Sequence, residues 1–205
     1  MKRVGGFTLV ELTTACVVVT IALLGVYVIF RDTVKTERRL TVGWQDRQAA
    51  EAIVSQICQA VQSAVEMPDI PAMRTGEEES DGSPFFECMT YGDSRQSTLQ
   101  RRRYRWDTET GVIDVRTIVY SGSQPVSVVQ QEGLDVWANV EPVLIGRRLA
   151  GLSIQFKAPA DDEWQDQYTR SEFPTIVRVQ ATVGGSSVER IVSCPLTMGV
   201  LEGSR

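Results

Sequence analysis

The sequence predicts an α+β fold: one long N-terminal helix, a membrane span in its first half and amphipathic in its second, packed on an antiparallel β-sheet. Two observations carry this prediction. The chain begins with an apolar run that passes, with no proline before Pro68, into a stretch rich in Ala, Gln, Glu and Arg, residues that favour helix. Beyond Pro71 the pattern changes to short alternating stretches separated by turn residues, the signature of strands and hairpins.

The apolar run comes first. Leu12 to Phe30 is nineteen residues without a formal charge, and Phe7 to Phe30 is twenty-four with Glu11 as the one exception. As a helix the longer stretch reaches about 36 Å, against about 30 Å of bilayer hydrocarbon, so a tilted single span fits. Lys2 and Arg3 precede it, and the positive-inside bias keeps that short N-terminus cytoplasmic and sends the rest of the chain across. A secretory signal peptide would have a shorter apolar core and a small-residue cleavage site beyond it; here the far flank reads VYVIFRD. Leu12-Thr13-Thr14-Ala15-Cys16 has the outline of a lipidation box, but the apolar stretch before Cys16 is short, contains Glu11 and continues past the cysteine. A carboxylate in such a run costs several kcal/mol unless it is paired or stays near the headgroups. Glu11 therefore needs a partner.

The stretch Gly6-Phe7-Thr8-Leu9-Val10-Glu11 resembles the prepilin processing site of type IV pilins and of the pseudopilins of type II secretion. The resemblance implies that a prepilin peptidase cuts between Gly6 and Phe7, that the new Phe7 amine is N-methylated, and that the apolar segment stays attached as a filament anchor. Glu11 would then be the fifth residue of the mature chain and would pair with the N-terminal ammonium of its own or a neighbouring subunit. The plainer alternative is that Glu11 snorkels to the headgroups, since it lies one turn from Phe7. On this reading residues 1–6 are the leader, 7–30 the transmembrane segment, 31–66 an amphipathic helix packing on the globular domain, and 67–205 a periplasmic β-sheet domain.

Along that helix, Ile53, Ile57, Ala60 and Ala64 recur at steps of three or four with Val61 and Val65 beside them, which builds one apolar face. Arg38, Arg39, Asp46 and Arg47 are expected to stay wet, and the helix to end near Glu66 because Pro68 and Pro71 cannot continue it. The whole element would reach about 90 Å for about sixty residues. AMRTGEEESDGSP, residues 72–84, reads as an exposed loop. Its acids Glu77, Glu78, Glu79 and Asp81 lack the spacing of a calcium loop and read as a solvated charge run. FFECMTY then opens a series of strands. TLQRRRYRW and VIDVRTIVY flank DTETG as one hairpin, PVLIGRRLAGLSIQFKA supplies one or two extended stretches, and TIVRVQATV and VERIVSCPL form a last hairpin across GGSS.

This second half resembles most the J-type minor pseudopilin, through RRRYRWDTETGVIDVR, LAGLSIQFKAP, the Trp164 that follows, and SEFPTIVRVQATV entered through Pro174. W-type minor pilins of type IV pili share much of this outline. The resemblance implies a non-enzymatic assembly role: a subunit that joins I- and K-type minor pseudopilins at the tip of a short periplasmic filament, primes the major pseudopilin and supports protein export. Its partners would include the inner-membrane assembly platform, whose cytoplasmic ATPase supplies the energy. A membrane-anchored binding domain that is never processed is the most distant reading.

Composition is consistent with that role. Twenty-six acidic against twenty-one basic residues give a formal charge of −5, which argues against a dedicated nucleic-acid binder. There is no histidine, which removes Ser-His and Cys-His nucleophiles and most zinc sites; no glycine-rich phosphate loop, cofactor or metal site is expected. Asp161-Asp162-Glu163 reads as a polar loop rather than an acid–base pair. Arg101, Arg103 and Arg105 share one strand face and Arg102, Tyr104 and Trp106 the other. The arginine face either meets an acidic partner or is a solvated face that discourages edge aggregation. Of the cysteines, Cys16 lies in the span and Cys58, Cys88 and Cys194 outside it, in a compartment that permits disulfides. Three thiols allow three pairings; Cys88 with Cys194 is preferred because both sit in strand-like stretches, while Cys58 falls on the helix's apolar side.

Overall fold

The computed structural model of the chain describes residues 8–65, 73–78, 81–91, 98–120, 137, 139–158, 162–168 and 173–195. One helix, α1, runs Leu9–Gln62, and the chain divides into two compact units, Met1–Trp44 and Gln45–Arg205.

In the first unit α1 is long and apolar enough to cross a membrane. Its apolar side chains from Leu9 to Phe30 face outward around the whole helix, as a span bathed in lipid requires. Its few hydroxyls are silenced locally. Thr13 and Thr14 donate to the Val10 carbonyl at 3.0 and 2.8 Å, and Thr20 to that of Cys16 at 2.8 Å, so none needs a polar partner in lipid. This half is a single-pass membrane anchor in form.

In the second unit α1 buries Asp46, Ala50, Ile53, Val54, Ile57, Cys58, Ala60 and Val61, the predicted stripe. Packing begins at Asp46, not at residue 31; the described side chains from Arg31 to Gln45 are exposed or half-buried. The helix also stops four residues before Glu66, because its backbone groups find another partner there. The Val65 N–H donates to the Met89 carbonyl at 2.9 Å, and Ala64 forms a bridge with Thr90.

Eight strands follow: β1 Met73–Glu77, β2 Pro84–Tyr91, β3 Leu99–Asp107, β4 Val112–Tyr120, β5 Val143–Gly146, β6 Leu149–Lys157, β7 Ile176–Val183 and β8 Ser186–Ser193. All pairings are antiparallel, and they make two sheets where one was expected, β1-β2-β3-β4-β5 and β6-β7-β8. The predicted stretch PVLIGRRLAGLSIQFKA is broken at Arg147 and Arg148, where Arg148 takes a left-handed φ of 63° and turns the chain from the first sheet into the second. Residues 73–77, read from sequence as loop, form β1 by pairing with β2 from Met73↔Cys88 to Glu77↔Pro84.

The faces turned toward α1 form one core. Phe86 stacks on Tyr104 and approaches Phe156, both at 6.1 Å between ring centroids, and Phe156 meets Tyr168 at 5.2 Å. Ile53, Ile57, Ile113, Val177 and Val179 complete its floor with no exposed surface, each contributing about 1.5–3 kcal/mol by burial.

Two turns depend on glycine. Gly111 closes the β3–β4 hairpin at φ 65°, and a Cβ there would stand 2.9 Å from the Leu149 carbonyl oxygen. Gly184 closes β7–β8 at φ 56°, where a Cβ would collide with the Asp46 carboxylate. Asp46 is thus buried rather than wet. Its carboxylate meets the Arg148 guanidinium at 2.9 Å, tying the helix to the turn that separates the two sheets.

Candidate functional site

Two places in the sequence promised function, the start of α1 and the arginine strand. At the first, Thr8 precedes the helix and Glu11 is its third residue, and the two bind each other reciprocally. The Thr8 backbone N–H donates to Glu11 Oε2 at 3.0 Å and the Thr8 hydroxyl to the same oxygen at 3.1 Å, while the Glu11 N–H donates to Thr8 Oγ1 at 3.3 Å. This is a capping box, which satisfies orphan amides that the first helical turn cannot bond. It also places the acid at the positive end of the helix dipole. Glu11 Oε1 makes no hydrogen bond among the described residues. Gly6 and Phe7, the expected cleavage and methylation positions, lie outside them.

At the second place the register decides the chemistry. Arg103 on β3 stands opposite Glu87 on β2, and Arg105 opposite Asp114 on β4. Arg103, with 1% of its side chain exposed, donates to Glu87 Oε2 at 2.7 and 2.9 Å and to Glu78 at 2.9 Å. Its guanidinium lies between the rings of Phe85 and Trp137, at 4.3 and 4.4 Å. Arg101 takes the other Glu87 oxygen at 2.6 Å. Arg105 reaches Asp114 at 3.1 Å and Asp81 at 3.2 Å, and Arg116 holds the Trp137 carbonyl at 3.0 Å.

The sequence left the arginine face either to an acidic partner or to solvent; in the structure Arg101, Arg103 and Arg105 are each engaged by carboxylates of their own chain. Within the acidic stretch Glu77 and Asp81 are exposed, as a solvated run requires, but Glu78 and Asp81 also serve as arginine partners; Glu79 lies outside the described residues. At Asp81 the Ser83 backbone N–H, with the Ser83 hydroxyl and Arg105 adding to it, holds the carboxyl below its ordinary value. Arg102, on the other face as expected, bonds Gln100 at 2.9 Å.

The preferred disulfide is absent. Cys88 and Cys194 are free thiols, as are Cys16 and Cys58. Cys88 on β2 and Cys194 just beyond β8 belong to different sheets, and burial in the core pushes both thiols up to about 12. Cys58 is buried on the helix as predicted. Asp162 and Glu163 are exposed, and Asp161 lies outside the described residues.

Sequence reasoning missed three contributors. The Thr8 cap was legible as Thr-x-x-Glu ahead of an apolar run. Glu87 gave only the faint signal of an acid within a strand otherwise fit for the core. Trp137 gave none, since nothing in the sequence near it announces a place against the arginines of β3.

Residues 1–27 match the family model described as the prokaryotic N-terminal methylation motif. No curated protein matches the chain. The chain therefore carries the N-terminal methylation motif of the type IV pilin and pseudopilin class, on a long apolar helix joined to an α+β unit. That motif implies processing by a prepilin peptidase and assembly at the membrane.

Proposed function

We propose that the chain is a subunit of a prepilin-derived filament and, within that class, a J-type minor pseudopilin of type II secretion. It acts by packing, without catalysis or a cofactor. Cleavage after Gly6 gives Phe7 an α-ammonium that methylation leaves charged. That ammonium and the Glu11 carboxylate are each costly in lipid, and pairing offsets both costs. The observation that carries the reading is Glu11 itself: Thr8 engages and orients Oε2, while Oε1 is left for a donor from another group. A carboxylate fixed in this way is pre-organised for a neighbouring subunit's N-terminus, and cleavage between Gly6 and Phe7 leaves the capping pair intact.

On this reading the N-terminus faces the cytoplasm and the α+β unit the periplasm. There the subunit meets I- and K-type partners at the tip, primes the major pseudopilin and is driven through the inner-membrane platform. Glu11→Gln tests the pairing, because the amide oxygen still accepts from Thr8 but carries no charge. Insertion and cleavage should persist while recovery of the variant in sheared filaments falls about tenfold or more, as for loss of a desolvated ion pair. Wild-type recovery of the variant contradicts the pairing. Co-purification of the full-length protein with I- and K-type subunits supports the tip role, and recovery with a retractile pilus supports the W-type pilin instead.

A further inference from the structure

The stretch that follows the apolar run, Arg31 to Arg39, holds the cations Arg31, Lys35, Arg38 and Arg39 against the acids Asp32 and Glu37. At the pitch of an α-helix these cations fall within an arc of about 100° on α1, with Asp32 at its margin and Glu37 on the far side. All of them are exposed, because α1 packs on its own chain only from Asp46 onward. None makes an ion pair among the described residues; the pair that forms within α1 is Arg47 with Glu51, further along. The hydroxyls between them are already used, since Thr33 and Thr36 donate to the Ile29 and Asp32 carbonyls at 2.9 Å.

The place of this stripe says what covers it. Along the helix Arg31 stands about 1.5 Å past Phe30 and Arg39 about 13 Å, while the headgroup layer beside the hydrocarbon is about 5–7 Å deep. Helical side chains lean toward the N-terminus of their helix, which here is the membrane. Arg38 and Arg39 therefore reach back toward the layer that Arg31 and Lys35 occupy. On the orientation proposed above, insertion favours Lys and Arg on the opposite, cytoplasmic side, so cations are kept here against that bias.

We infer that Arg31, Lys35, Arg38 and Arg39 bind the phosphate-bearing headgroups of anionic lipid in the leaflet where the span ends. Their guanidinium and ammonium groups donate charge-assisted hydrogen bonds to phosphate oxygens, and this fixes the depth of the anchor. Drawing the subunit out of the bilayer has to break these contacts. The inference rests on the membrane-anchor reading and is independent of N-terminal cleavage and of filament membership.

The test uses the full-length protein in phosphatidylcholine bilayers with a trace of spin-labelled phosphatidylglycerol or phosphatidylcholine. Electron spin resonance reads the lipid held immobile at the protein. Phosphatidylglycerol should be preferred about fivefold or more, the scale of a cation at an anionic surface, and about 1 M NaCl should screen most of that preference. The variant Arg31→Gln, Lys35→Gln, Arg38→Gln, Arg39→Gln should lose it, whereas Arg31→Lys, Arg38→Lys, Arg39→Lys should retain it. Lys2 and Arg3 are present in every chain compared, so the difference belongs to the stripe. Equal association of the two lipids with the wild-type chain, a preference undiminished by salt, or wild-type preference in the glutamine variant overturns the proposal. Immobile phosphatidylcholine shows in each case that the span is inserted, and its absence from the wild-type chain would overturn the membrane anchor itself.

Discussion

Two glutamates, one in each unit, show how differently this chain treats a charge removed from water. Glu87 on β2 is buried, and both its oxygens are taken by arginines of the neighbouring strand at 2.6 and 2.7 Å. Glu11 at the head of the span has one oxygen occupied, by a threonine that belongs to its own helical turn. The first is a closed network, with Arg101 and Arg103 as donors and Trp137 excluding solvent above. The second is half-closed, in the part of the chain that would lie in lipid. A saturated buried charge fixes architecture. An unsaturated one has no partner for its second oxygen among the described residues, and the proposed assembly gives that place to the amine that cleavage would create.

The contrast can be broken by experiment, and Glu87 gives the largest effect. Glu87→Ala removes the carboxylate shared by two guanidinium groups beneath Trp137, leaving Arg103 with Glu78 alone, and should cost about 3–5 kcal/mol, the penalty for breaking a buried pair from one side. Denaturant unfolding of the full-length protein in micelles measures it. A loss below about 1 kcal/mol, the scale of an exposed pair, would mean that the network is solvated and the contrast with Glu11 false. Glu11→Gln, by comparison, should leave that unfolding curve in place and act on assembly alone.

A smaller effect separates the core thiols from both acids. Burial raises Cys88 and Cys194 to about 12 from an ordinary 9.0. A raised value in the folded state means that folding favours the protonated thiol. That contribution is complete below pH 9.0, the unfolded value, and declines as pH rises from there toward about 12. Unfolding midpoints should fall over that interval, and Cys88→Ala should flatten the slope. An unchanged slope in the variant would place the thiol in water. The smallest expected effect is at Arg47 and Glu51, an exposed pair at 3.1 Å one helical turn apart. Arg47→Ala should change stability by about 0.3–0.5 kcal/mol. A loss well above about 1 kcal/mol, the upper end for an exposed pair, would show that this pair is shielded from water.

What the sequence made legible was local. The span, the Gly6 to Glu11 spacing and the Ile53-Ile57-Ala60 stripe are written in consecutive residues, as are the hairpins around DTETG and GGSS. What it hid depended on register or on distant partners. Met73–Glu77 has the composition of a turn and becomes a strand because β2 offers it an edge, tertiary pairing overriding propensity. Asp46 looked like surface charge because Arg148 is 102 residues away. The arginine face was correctly resolved into alternating sides, but Glu87 lies directly across from Arg103 only once β2 and β3 are aligned. A single sheet was expected because nothing in Arg147-Arg148 announces a left-handed turn. Thr8 is legible as half of a capping box only when Glu11 is taken as part of a helix terminus and not as a charge in lipid alone.

The half-closed glutamate has meaning only if proteolysis supplies its partner, so the mass of the native N-terminus is the most direct measurement. The protein isolated from its own membrane should begin at Phe7 and carry a methyl group on that amine. A chain that still begins at Met1 would leave Glu11 without its ammonium and would contradict the account.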